Sequence, residues 1–158
     1  MLIVQKICNC LFIIMLNSYS PNFTFTPAAV DTILAHFSDT GLSYNDYDLI
    51  VTGDLGSLGS DIVRDLTKEN GSPIGNNYID CGVEIFDRKA QKVNCGGSGC
   101  GCSAVVLCGD LMSKLGEKKI NSILFVGTGA LMSPTSVLQG ESIPCIAHAV
   151  SISNKKMN

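Results

Sequence analysis

The chain has 158 residues, 46% hydrophobic and 16% charged, with a net charge of −3 and a pI near 5.2. That length and apolar content suffice for one ordinary domain and exclude disorder as the main state. The lack of a basic surplus excludes a dedicated nucleic-acid binder. Sixteen glycines and no tryptophan point to many places where the backbone turns tightly or approaches a neighbour closely.

Residues 1–25 differ from the rest. Residues 7–16 form an apolar run behind Lys6, too short for a bilayer span of about 20 residues. Three readings stand open: a signal-peptide core with a poor cleavage site at Ser18-Tyr19-Ser20, a strand of the fold, or an atypical leader on a chain whose usual beginning is missing.

Thr26-Pro27 reads as a helix start, with Thr26 as cap and Pro27 in the first turn. Val30, Ile33, Leu34 and Phe37 follow at helical spacing, and Gly41 supplies a left-handed stop. Residues 47–52 are a buried strand and 53–56 a glycine turn. Ile62, Val63 and Leu66 mark the next helix, with Ser57 or Ser60 as cap and an end near Asn70-Gly71. Strand, turn and helix in this order open an α/β unit. Residues 81–86 read as a strand, and with 92–94 suggest a hairpin. After the glycine-rich stretch 96–104, residues 103–115 are predicted as a helix with an apolar face, its start packed closely through Gly99, Gly101 and Ser103. Residues 120–126 form another strand, ended by Gly127-Thr128-Gly129. Residues 146–152 are the last strand, and 154–158 a frayed tail.

Eight cysteines, Cys8, Cys10, Cys81, Cys95, Cys100, Cys102, Cys108 and Cys145, read as reduced, small and buried. Cys95, Cys100 and Cys102 lack the second pair that a zinc site uses, so no metal is expected. The stretch 96–104 is either an anion-cradling loop or a sterically small one. It matches neither the P-loop nor the dinucleotide fingerprint, so no cofactor is expected. No serine-nucleophile elbow is present. His36 reads as a surface or edge residue, and His148, in an apolar strand, as a satisfied core residue rather than a base.

Residues 46–63 (DYDLIVTGDLGSLGSDIV), 77–87 (NYIDCGVEIFD), 96–107 (GGSGCGCSAVVL) and 123–152, with LMSPTS, GESIP and IAHAV, resemble the C-terminal half of the stage V sporulation protein AD family. The likeness runs nearly unbroken over about residues 27–152. It implies an α/β, thiolase-like fold: the C-terminal half, a mixed β-sheet with helices on both faces and one central buried helix, over residues 26–153. It also implies a non-enzymatic sporulation protein, or a fragment of one, peripheral on the spore inner membrane with no transmembrane helix. Such a protein binds dipicolinic acid for uptake into the forespore and release at germination, together with channel proteins of the same operon. Two alternatives stand beside it: a degenerate ketoacyl-synthase-like acyl-transferring enzyme, and a structural module of the channel complex.

Related synthases carry a histidine after the first strand of this half and an asparagine in the glycine-rich loop. Here the turn reads Thr52-Gly53-Asp54-Leu55-Gly56, and Ser98 stands where the asparagine falls, which removes the proton shuttle and the donor that thioester chemistry needs. The family's N-terminal half is absent from this sequence, which implies a split or truncated gene product that pairs with that half or with itself. The resemblance places the ligand against Asp54, Gly97, Ser98, Gly99, Cys100, Gly127 and Gly129. No lysine or arginine lies near either turn in sequence, so the positive charge comes from elsewhere or from a bound cation. Asp54 is either an oxygen ligand to calcium or the cap of the following helix.

Overall fold

The computed structural model describes residues 3–14, 22–99, 101–130, 133–139 and 143–155. Five strands form one mixed sheet in the order β1-β5-β4-β2-β3, with β1 at Ile3–Ile14, β2 at Leu49–Thr52, β3 at Tyr78–Asp80, β4 at Ser122–Ala130 and β5 at Ile143–Ser153. β2 runs parallel to β3 and β4. β5 runs antiparallel to β4 and β1. The apolar run near the N-terminus thus forms an edge strand, paired with β5 from Ile3–Ser153 to Ile14–Ile143. The Ser18-Tyr19-Ser20 site lies outside the described residues.

Alternation along the strands feeds two cores. Ile50, Leu124, Val126, Ala147 and Ala149 face one side, with Ala28, Ala29 and Ile33 of α1 (Asn22–Thr40) and Val63 of α2 (Gly56–Glu69). Val51, Ile123 and Ile152 face the other, against Cys102 and Val106 of α5 (Cys102–Val106) and Leu115 of α6 (Met112–Gly116). Leu111 joins them from the π-helical turn Leu107–Leu111 that links α5 to α6. The α/β class, the mixed sheet and helices on both faces agree with the sequence reading.

Several elements differ from it. α1 begins at Asn22, so Thr26 lies inside the helix, buried, and Pro27 sits in its second turn. Gly41 does end it, at φ +70°, donating to the Phe37 carbonyl at 2.9 Å. Residues 81–86 are not a strand, and they form no hairpin with 92–94. β3 is only three residues long, and Asp80 then caps the short helix α3 (Cys81–Glu84) by accepting from Gly82 N at 3.0 Å. A second short helix, α4 (Arg88–Gln91), is capped by Asp87. Gly127-Thr128-Gly129 does not end β4 but continues it, opposite His148, Ala147 and Ile146.

The segment 103–115 is helical but only half-buried. Cys102, Val106, Leu111 and Leu115 are covered by the sheet, whereas Val105 is 60% exposed and Ala104, Cys108 and Gly109 face outward. A side chain at Gly99 or Gly101 would meet nothing, so neither glycine serves close packing. Cys81, Cys102 and Cys145 are buried as predicted, but Cys95 and Cys108 are exposed. The two histidines exchange roles with their predictions. His36 is buried and shares a 2.7 Å hydrogen bond with the Tyr47 hydroxyl, which ties α1 to the approach to β2. His148 is exposed on β5. Asn154 follows β5 and is held by the Leu115 carbonyl at 2.9 Å. Residues 156–158 of the tail lie outside the described residues.

Candidate functional site

The chain brings three separate segments to the carboxyl ends of β2 and β3. One is the turn 53–56 after β2, one the glycine-rich loop 95–99, and one the last part of β4. Asp54 joins them. Its Oδ2 accepts from the Gly99 amide at 2.8 Å and the Ser98 hydroxyl at 3.2 Å, and its Oδ1 from the Thr128 hydroxyl at 3.4 Å. Asp54, Ser98 and Gly99 are thus direct neighbours. Gly127 and Gly129 flank Thr128 in β4, in a strand rather than a turn. Cys100 lies outside the described residues.

Asp54 does not cap α2. That role falls to Asp80, which sequence reasoning missed. The Asp80 carboxylate accepts from Leu55 N at 3.0 Å, Gly56 N at 2.9 Å, Gly82 N at 3.0 Å and the Thr52 hydroxyl at 2.6 Å. One buried side chain therefore holds the starts of α2 and α3 together. The Ser57 amide donates to the Cys95 carbonyl at 2.8 Å, and neither Ser57 nor Ser60 caps α2. An acid directly after a short β-branched strand is the signal that could have found Asp80, because an aspartate there is well placed to cap the next helix.

Gly82 carries the order of this node into the glycine loop. Its carbonyl accepts the Gly97 amide at 2.6 Å. A β-carbon on Gly82 would collide with the Gly97 carbonyl, and one on Gly96 with the Gly82 carbonyl. Gly96 also sits at φ +108°, where L side chains are strained. On the other side, a β-carbon at Gly53 would lie 2.9 Å from the Thr128 hydroxyl. These are among the glycines whose smallness the fold uses.

The node is electronegative. Burial raises the Cys81 thiol to about 12, helped by the nearby Asp80 charge, and burial followed by the Asp54 and Asp80 charges raises Cys102. Burial also raises Asp80 above the usual carboxylate range, against the opposing pull of Thr52 and the three amides. Among the described residues no lysine or arginine lies within ion-pair distance of Asp54. The Gly99 amide and Ser98 hydroxyl, suited to an incoming carboxylate, are already engaged by Asp54. An anionic ligand must displace that carboxylate or arrive with a cation that binds it.

This α/β domain belongs to a class of sporulation proteins by its sequence match: residues 16–153 match the family model for Stage V sporulation protein AD (SpoVAD), and the chain is a member of that family. It is 52% identical over 124 residues to Stage V sporulation protein AD of Bacillus subtilis (strain 168). That match covers 78% of this chain and 36% of the relative, so the chain spans about a third of the relative's length. No helix among the described residues is long and apolar enough to cross a membrane.

Proposed function

We propose that this chain is the ligand-binding C-terminal half of a thiolase-like sporulation protein that binds dipicolinic acid without turning it over. Binding serves uptake into the forespore and release at germination, at the spore inner membrane, alongside the channel proteins of the same operon. The observation that carries the reading is the convergence of Asp54, Ser98, Gly99 and Thr128 from three separate segments. Dipicolinate is a flat dianion, and calcium bridging its carboxylates to Asp54 would resolve the repulsion that Asp54 otherwise imposes. Exposed Val105 and the outer side of α5 and α6 offer a surface for the family's other half or for a second copy.

Loss of enzyme chemistry fits the same residues. The turn after β2 holds Asp54 and no histidine, and Ser98 is tied to Asp54. Neither histidine lies in that turn: His36 is in the core against Tyr47, and His148 is on β5, opposite Gly127. Incubation with a coenzyme A thioester tests this reading. The expected result is no acyl transfer above the uncatalysed rate; turnover lost on a Ser98→Ala change would favour a degenerate acyl-transferring enzyme instead. Capture of channel proteins with no dipicolinate bound would favour the purely structural module.

A further inference from the structure

The chain has two arginines, Arg64 and Arg88, and both line one cleft of about 240 Å³. The cleft lies between α2 and the residues of β3, α3 and α4, at the edge of the sheet away from β1. Arg64 donates to the carbonyls of Gly75 and Tyr78, each at 3.1 Å, and its guanidinium lies 5.0 Å from the centre of the Tyr78 ring. Arg88 donates through Nε to the Asn94 carbonyl at 3.0 Å. These partners are neutral, and among the described residues neither guanidinium is within ion-pair distance of a carboxylate. A guanidinium carries five donors in a planar fork that matches carboxylate and phosphate oxygens.

Beside the two arginines the lining carries two serines and three acids. Ser57 lines the cleft from the first turn of α2, the positive end of its dipole, and Ser60 from the next turn, with its hydroxyl oxygen buried. Asp80 also borders the cleft, but its carboxylate is committed to Thr52 and three amides. Asp61 and Glu84 oppose an anion, yet both are exposed and screened by solvent.

We propose that this cleft is a binding site for a small dianion, a dicarboxylate or a phosphate, gripped by Arg64 and Arg88 with the Ser57 hydroxyl. The site is separate from the Asp54 loop and supplies the cationic groups that the loop lacks. The test is a residue-resolved NMR titration of the whole chain with disodium dipicolinate and, separately, inorganic phosphate, with neutral pyridine as control. A saturable shift of the Arg88 and Arg64 side-chain signals is expected with at least one anion and none with pyridine; which anion acts identifies the class. Arg88→Gln should weaken binding on the order of tenfold, the loss of one charge-assisted pair. Glu84→Gln should tighten it severalfold. Arg64→Gln also removes two bonds that hold the approach to β3, so Arg88→Gln, at an exposed position, is the decisive variant. Absence of a saturable shift with either anion, or titrations unchanged in Arg88→Gln, overturns the proposal. Ser98→Ala separates it from the loop reading. Binding lost there but kept in Arg88→Gln leaves the loop and removes the cleft; the converse leaves the cleft and removes the loop.

Discussion

The Gly99 amide donates to the Asp54 carboxylate at 2.8 Å across 45 residues of sequence, and this bond fixes where the glycine loop stands relative to the end of β2. Below it, Asp80 orders the same region from within the core. Two carboxylates thus serve different ends in one region: the half-buried Asp54 binds the loop, and the buried Asp80 caps two helices.

Asp80→Asn should cost about 3 kcal/mol of stability. The amide keeps the size but points an NH₂ group at backbone amides that donate to a carboxylate in the native protein, and bonds to a charged acceptor contribute about 1.5–3 kcal/mol each. Denaturant unfolding with far-ultraviolet circular dichroism measures this. A midpoint unchanged within error would show that Asp80 does not organise the starts of α2 and α3.

Substitution of individual glycines should separate steric from conformational demand. Gly96→Ala meets the Gly82 carbonyl and a φ of +108°, and should destabilise by about 2–3 kcal/mol. Gly99→Ala has open space but a φ of +116°, so only the backbone penalty of about 1 kcal/mol applies. Gly116→Ala, with open space and no left-handed φ, should be neutral or slightly stabilising. Thermal unfolding of the three variants gives the order, and equal losses at all three would contradict it.

Thiol reactivity should divide by position. Cys95 and Cys108 are exposed and should alkylate quickly at neutral pH, whereas Cys81, Cys102 and Cys145 should be protected until the chain unfolds. The pH dependence has a definite sign. Unfolded Cys81 ionises near 9.0 while the folded thiol holds its proton to about 12, so the unfolded state binds fewer protons in that window. This contribution is fully present below pH 9 and is lost as pH rises, by up to about 4 kcal/mol at pH 12. Burial raises Tyr78 too, which adds a loss in the same direction above pH 10. Peptide mapping of alkylated sites and urea unfolding at pH 8 and 10 check both statements; rapid labelling of Cys81 in the folded chain would contradict them.

The bare side of α5 and α6 predicts association. Val105 is 60% exposed, and the helix buries a single stripe against the sheet. Exposed apolar patches beyond a few hundred Å² are unusual on monomers. Sedimentation velocity should show a concentration-dependent dimer or larger species, and Val105→Lys should shift it towards monomer. A compact monomer at high concentration would contradict this.

Much of the fold is legible in the sequence where periodicity runs long. The apolar spacing from Val30 to Phe37, the β-branched run into Thr52 and the run from Ile123 to Val126 each correspond to an observed element. What escapes is decided by tertiary contacts. The stretch CGVEIF has strand-like residues but becomes helical, because Asp80 binds the Gly82 amide and turns the chain. Gly127 and Gly129 look like a stop, yet antiparallel pairing with β5 carries the strand through them. His36 and His148 exchange places because the helix face at His36 is covered and the sheet face at His148 is not, which local sequence does not record. At the site, Asp54, Ser98 and Gly99 could be singled out one by one, but Asp80 and the shared cleft of Arg64 and Arg88 depend on which segments meet.

Isothermal titration of dipicolinate tests the central claim most directly, with and without calcium, into the chain and into its Ser98→Ala and Asp54→Ala variants, alone and supplemented with the remaining part of a family member. The account predicts saturable binding strengthened by calcium and, with calcium present, weakened about tenfold or more by each substitution, as when a charge-assisted contact is lost. Affinity unchanged in both variants, with and without calcium, would contradict it and place the ligand outside the Asp54 loop.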